Sequence, residues 1–176
     1  MAEYEFNTTD GQEIGREMMV LYLNTGTKEA PTWSPIGYRI EESDVELDWQ
    51  RESKKDIMGQ TYTNMKKPVK TQSFNEWPFR KGDNALEKLW KMAVKDEDAQ
   101  ALCALDLLTV HNYAGTKGTA AFAVREDESS IEMTRYGGSG GGSLTGDFTA
   151  TFGGKRSVGT AKIEESGVTF TPEEAA

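Results

Sequence analysis

The chain has 176 residues, 36% of them hydrophobic and 28% charged, which suits one domain around a single ordinary core. Its 29 Asp and Glu against 20 Lys and Arg give a formal net charge of −9, which argues against a nucleic-acid clamp, because such a surface needs cations to neutralise phosphates. One cysteine and one histidine exclude an internal disulfide framework and a cysteine-based zinc site.

Residues 1–17 are polar and Gly-bearing and read as an extended N-terminal arm. Met1–Glu5 carry neither the basic nor the apolar region of a secretory signal. No apolar run approaches the ~20 residues of a membrane span, so the expectation is a chain made in a reducing cytosol. Met18–Leu23 is a short apolar run stopped by Asn24-Thr25-Gly26-Thr27, which predicts a buried strand and a turn. Pro31, Pro35 and Gly37 then punctuate a predicted loop carrying Trp33.

From Glu41 to Phe79 the chain alternates like a strand but holds too little apolar material to bury. Val45, Leu47 and Trp49 alternate with Asp44, Glu46, Asp48 and Gln50. A polar stretch, Arg51 to Asp56, follows, and then Ile57 to Met65 and a weaker alternating return through Val69, Thr71, Ser73 and Trp77. Two strands joined by a long polar arm cannot close a core, and free strand edges have to be paired, covered or charged. The arm, about residues 50–72, is therefore expected to be covered by other copies of the same chain. Arg51, Lys54, Lys55, Asp56, Tyr62, Met65, Lys66, Lys67 and Lys70 are its candidate contact residues.

A helix is predicted over about 83–95. Asp83 can cap its first turn, and Leu86, Leu89, Trp90, Ala93 and Val94 form one apolar stripe suited to packing on a sheet. Lys88, Lys91 and Lys95 lie off that stripe and toward the C-terminal end, where the helix dipole favours them. After the acidic turn Asp96-Glu97-Asp98, Ala101–Leu105 holds Cys103, read as a small buried hydrophobe. Leu102–Val110 reads as a second short helix or a strand, with Leu107–Val110 before the turn at His111–Gly115 favouring the strand, and Ala120–Val124 reads as another strand. Gly137–Ser143 is low-complexity and has the composition of a flexible loop. Hairpin strands follow at Leu144–Phe152, Val158–Ile163 and Val168–Phe170, with a polar tail over 172–176.

None of this converges on chemistry. His111 has no nucleophile elbow beside it. The acidic pairs lack calcium-loop spacing. Phe152-Gly153-Gly154-Lys155-Arg156 has Arg156 where a phosphate loop needs Ser or Thr, and a strand pattern follows it, so a hairpin turn is the reading. The expectation is no catalytic residue, no metal and no cofactor.

The order of parts resembles the major tail tube proteins of long-tailed bacteriophages. The likeness runs from about Met18 to Thr171. It rests on the strand Val20–Asn24, the loop Trp33-Ser34-Pro35-Ile36-Gly37, the polar hairpin from Asp44 to Ser73, one amphipathic helix, and the hairpins ending Gly153–Thr160. The resemblance implies a mainly β fold, sandwich- or barrel-like, with one flanking helix and a protruding β-hairpin arm. It also implies hexameric rings whose inner sheets join around a channel, stacked into a hollow tube that DNA traverses without specific binding. By the same resemblance the expected partners are further copies of the chain, with tape-measure, terminator and baseplate or initiator proteins, and the expected location is a virion tail assembled in a bacterial cytoplasm. Two further readings stand beside it: the inner tube of a contractile tail or tailocin-type injection system, and a β-sandwich carbohydrate-binding module using Trp33, Trp49 and Trp77 as a stacking platform.

Overall fold

The computed structural model describes residues 4–116 and 119–174. The protein is mainly antiparallel β, with one principal helix. The apolar run after residue 18 forms β1 (Met19–Asn24), and β2 (Trp33–Ile36) pairs with it, Leu21 opposite Ile36. Expected as a loop, Trp33–Ile36 is instead a strand at the sheet edge, the setting in which a proline without an N–H is tolerated. β3 (Val45–Asp48) and β6 (Val69–Pro78) pair at the root of the arm, and β4 (Glu52–Lys55) and β5 (Thr61–Asn64) form its tip as a separate two-stranded ribbon.

Two sheets share β8 (Ala120–Gly137), an 18-residue strand. In the first sheet the order is β2, β1, β7 (Leu105–Thr116), β8, β10 (Arg156–Glu164) and β11 (Gly167–Pro172). In the second, the C-terminal half of β8 pairs with β9 (Thr145–Phe152), then β6, then β3. β11 returns beside β2, so the first sheet curls toward a barrel. Its concave face holds Tyr22, Trp33, Leu108, Val110, Ala121, Ala123 and Ala161. The other face packs against the second sheet and the helix around Leu21, Leu23, Phe74, Trp77, Leu105, Leu107, Ile131 and Phe148.

The bend from β9 into β10 passes through Gly154 at φ +69, where a Cβ would collide with the Asp127 carbonyl oxygen, so the glycine pair serves a tight turn. Gly138–Leu144 link β8 to β9. His111–Gly115, expected as a turn, continues β7. The N-terminal segment supplies the missing partner there, with Phe6 bridging Ala114 and Asn7 N–H donating to the Tyr113 carbonyl at 2.9 Å. Residues 1–3 of the expected arm and 175–176 of the expected tail lie outside the described residues.

The helix α1 (Asn84–Trp90) starts where Asp83 accepts the Leu86 N–H at 3.3 Å, and it ends in a wider π-type turn, Lys91–Lys95. Asp83 also accepts the buried Trp77 indole N–H at 2.9 Å, which ties the helix start to β6. The face turned to the core is Ala85, Leu86, Leu89 and Met92. Trp90 departs from the expected stripe: it is 40% exposed, and Ala93 and Val94 are half-buried. The turn at Ala85, not Trp90, completes the buried face. A short helix, α2 (Ala99–Leu102), capped by Asp98, precedes β7. Cys103 ends it and is exposed rather than buried, because the chain turns at the surface before entering the sheet.

Candidate functional site

The second sheet has two unlike faces, and strand register shows why. One row across it reads Val45, Gln72, Ala150, Ile131, and another Phe74, Phe148, Met133; these face the core. The intervening rows read Glu46, Thr71, Thr151, Ser130 and Ser73, Thr149, Glu132. Period-2 alternation puts this second set on the opposite face. A bulge between Phe74 and Trp77 resets the alternation so that both aromatics point inward. It places Glu76 at φ +55, with its N–H on Asp147 at 2.8 Å.

The outward face is thus a carpet of Thr and Ser carrying Glu46, Asp48, Glu132 and Asp147, with Glu76 at the bulge. Arg135 is the cation on it, held to Asp147 at 2.9 Å. That hydrogen bond holds the Asp147 carboxyl below and the Arg135 guanidinium above their ordinary values. Both long edges of this sheet lack a ladder partner among the described residues: β3 on one side, and residues 130–137 of β8 on the other. Unpaired edges of this kind are templates for another chain.

Beyond β3 and β6 the arm projects, every residue of its two ribbon strands exposed. Asp56 accepts the N–H groups of Met58 and Gln60, both at 2.9 Å, and so shapes the tip turn. Ile57 there is fully exposed and Met58 80% exposed, with Tyr62 and Met65 also in solvent. Arg51, Lys54, Lys55, Lys66 and Lys67 lie along it, also exposed. Lys70, grouped with them from sequence, is placed differently. It is half-buried on the core-facing side of β6, bonded to Glu126 at 2.6 Å and lying over the Phe152 ring. It fastens the root of the arm and is not part of its free surface.

Where β1 and β7 end beside the helix, a compact polar network closes the fold. Asp106 is paired with Arg125 at 2.6 Å and accepts from Asn24 at 3.2 Å, while Lys88 donates to the Asn24 carbonyl at 2.6 Å. Burial pushes Lys88 down, and the Asp106 carboxylate opposes that shift. Sequence patterning gave no sign of this network, since its members come from four separate elements. His111 is stacked on Phe122 and bonded to the Tyr113 hydroxyl at 2.9 Å; burial first, then Lys70 and Arg156, lower its pKa to about 4. Of the tryptophans named for a sugar platform, Trp33 and Trp77 are buried in different cores, and only Trp49 is exposed. Among the described residues no group of three or more His, Cys, Asp or Glu is arranged to hold a metal ion. Nor, among the described residues, is any helix long and apolar enough to cross a membrane.

Comparison with known proteins turns on fold. No family model matches the chain, and no curated protein sequence matches it. Among solved structures it is similar to the tube-terminating cap of the anti-feeding prophage, with 9% identity, a TM-score of 0.51, and coverage of 88% of this chain and 96% of that one. It is also similar to the sheath/tube terminator of the PVC extracellular contractile injection system, with 8% identity, a TM-score of 0.50, and coverage of 85% and 99%. A chain of the PVC sheath–tube complex in its extended state gives 8% identity, a TM-score of 0.47, and coverage of 85% and 93%. Over most of its length the chain therefore shares the fold of that tube-terminating cap and that sheath/tube terminator.

Proposed function

We propose that the protein is a structural, non-enzymatic subunit that assembles with copies of itself into stacked rings forming a hollow tail tube. The observation that carries this reading is the arm, a hairpin bearing Ile57, Met58, Tyr62 and Met65 that the described residues leave exposed. The two unpaired edges of the second sheet support it. Pairing β3 of one copy with residues 130–137 of the next is a head-to-tail contact that generates a ring when the rotation closes. Six copies per ring is the number the phage resemblance implies. The Thr- and carboxylate-lined face then turns to the channel, where like charge keeps DNA phosphates from binding. The arm reaches the neighbouring ring.

The chain then belongs to a virion tail, with tape-measure, terminator and baseplate or initiator proteins as partners. The inner tube of a contractile system is the second reading, favoured because the similar structures come from contractile injection systems. A sheath gene beside this one distinguishes it from a non-contractile tail.

Hydrogen exchange tests the assembly surfaces. Amides of residues 51–67, and those of residues 45–48 and 130–137 that point away from β6 and β9, are expected to exchange quickly in the monomer and become protected in the assembly. Unchanged exchange at all three after assembly contradicts the reading.

A further inference from the structure

We propose that the cleft beside β1, β2 and β6 is the seat that receives the Ile57–Met58 tip of the next copy's arm. This inference rests on the assembly reading and adds the receiving surface to it. The cleft has a volume of about 680 Å³ and an accessible apolar lining of Met19, Val20, Pro35, Tyr38 and Ile40, with Glu17, Glu41 and Arg80 also lining it. It adjoins a second cavity of about 520 Å³, lined by Glu41, Glu42, Asp44, Glu46 and Glu76 against Arg39.

The occupant is indicated by charge, apolarity and polarity of placement. The arm from Trp49 to Pro68 carries five cations, Arg51, Lys54, Lys55, Lys66 and Lys67, against two carboxylates, Glu52 and Asp56. It is thus a net positive projection on a chain whose formal charge is −9. Its turn presents Ile57 and Met58 to solvent, matching the apolar lining, while its cationic flanks match Glu41, Glu42 and Asp44 beside the cleft. The arm leaves β6 at Val69, whereas the cleft is bounded by Phe74, Arg80 and Asp83 toward that strand's other end. The arm thus leaves β6 at its first residue, and the cleft lies along the strand from Gln72 and Phe74 onward. A head-to-tail contact of this kind continues as an open stack where its rotation does not close into a ring.

The test is disulfide trapping in the full chain. Met58→Cys and Glu41→Cys are combined in a Cys103→Ser background, concentrated until particles form, and oxidised. Both sites are exposed, and a thermal melt matching the Cys103→Ser parent confirms folding. The proposal expects a ladder of covalent multimers from the double variant and none from either single variant. It expects none when Glu164→Cys replaces Glu41→Cys. Assembled tubes without a ladder overturn the seat and leave the assembly reading standing. Failure of the wild-type chain to form any particle larger than a monomer overturns both. As a second readout, Glu41→Arg with Glu42→Arg is expected to raise the critical concentration for stacking at least tenfold, and an unchanged value overturns the proposal.

Discussion

Trp77 and Asp83 show how single residues fix this fold. The indole is fully buried and its N–H has the Asp83 carboxylate as its partner, while the same carboxylate caps α1. Removing it costs about 1 kcal/mol for the cap and about 1–3 kcal/mol for the orphaned indole N–H. Asp83→Ala is therefore expected to lower stability by about 2–4 kcal/mol in urea unfolding, with Asp83→Asn recovering most of the loss. A loss no larger than that of a surface substitution contradicts the dual role. His111 gives a pH dependence. The unfolded chain takes up a proton near pH 6.5, and the folded chain only near pH 4, so the unfolded state binds more protons between the two. Stability thus falls as pH drops through that window, by up to roughly 3 kcal/mol. His111→Phe, which keeps an aromatic on Phe122, should remove that part of the slope; an unchanged slope between pH 7 and 4.5 assigns it to other groups.

At the scale of elements, the arm is the part whose sequence and structure agree most directly. Alternation with no apolar surplus is visible in the residues from Val45 to Val69, and a ribbon with exposed faces is what such a pattern forms. The double substitution Ile57→Asp with Met58→Asp is expected to leave monomer stability within about 0.5 kcal/mol, because neither side chain touches the core. The same substitution should abolish stacking, as read by light scattering of concentrated protein; undiminished stacking means the tip is not a contact. The helix was legible from its cap and its period, but its packing face was not fully so. Trp90 fits a 3.6-residue stripe by spacing, yet Ala85 and Met92 complete the buried side. Trp33–Ile36 and His111–Gly115 were illegible as strands because each depends on a partner distant in sequence: β1 for the first, the segment around Phe6 for the second.

The whole molecule is two sheets sharing one long strand, with a curled sheet around an apolar cluster on one side and a sheet with one polar face on the other. Composition showed an excess of acid, but only register could gather Glu46, Asp48, Glu132 and Asp147 onto one Thr-rich face. Nor could sequence reveal that β3 and the end of β8 are both left without partners, since that follows from the order of strands across the sheet. Edges, arm and face together carry the proposal that this chain assembles with copies of itself. Negative-stain electron microscopy of the purified chain, concentrated across several salt levels, tests that claim most directly. Hollow tubes or stacked rings are the predicted result. Monomers alone at every concentration and salt level would contradict it.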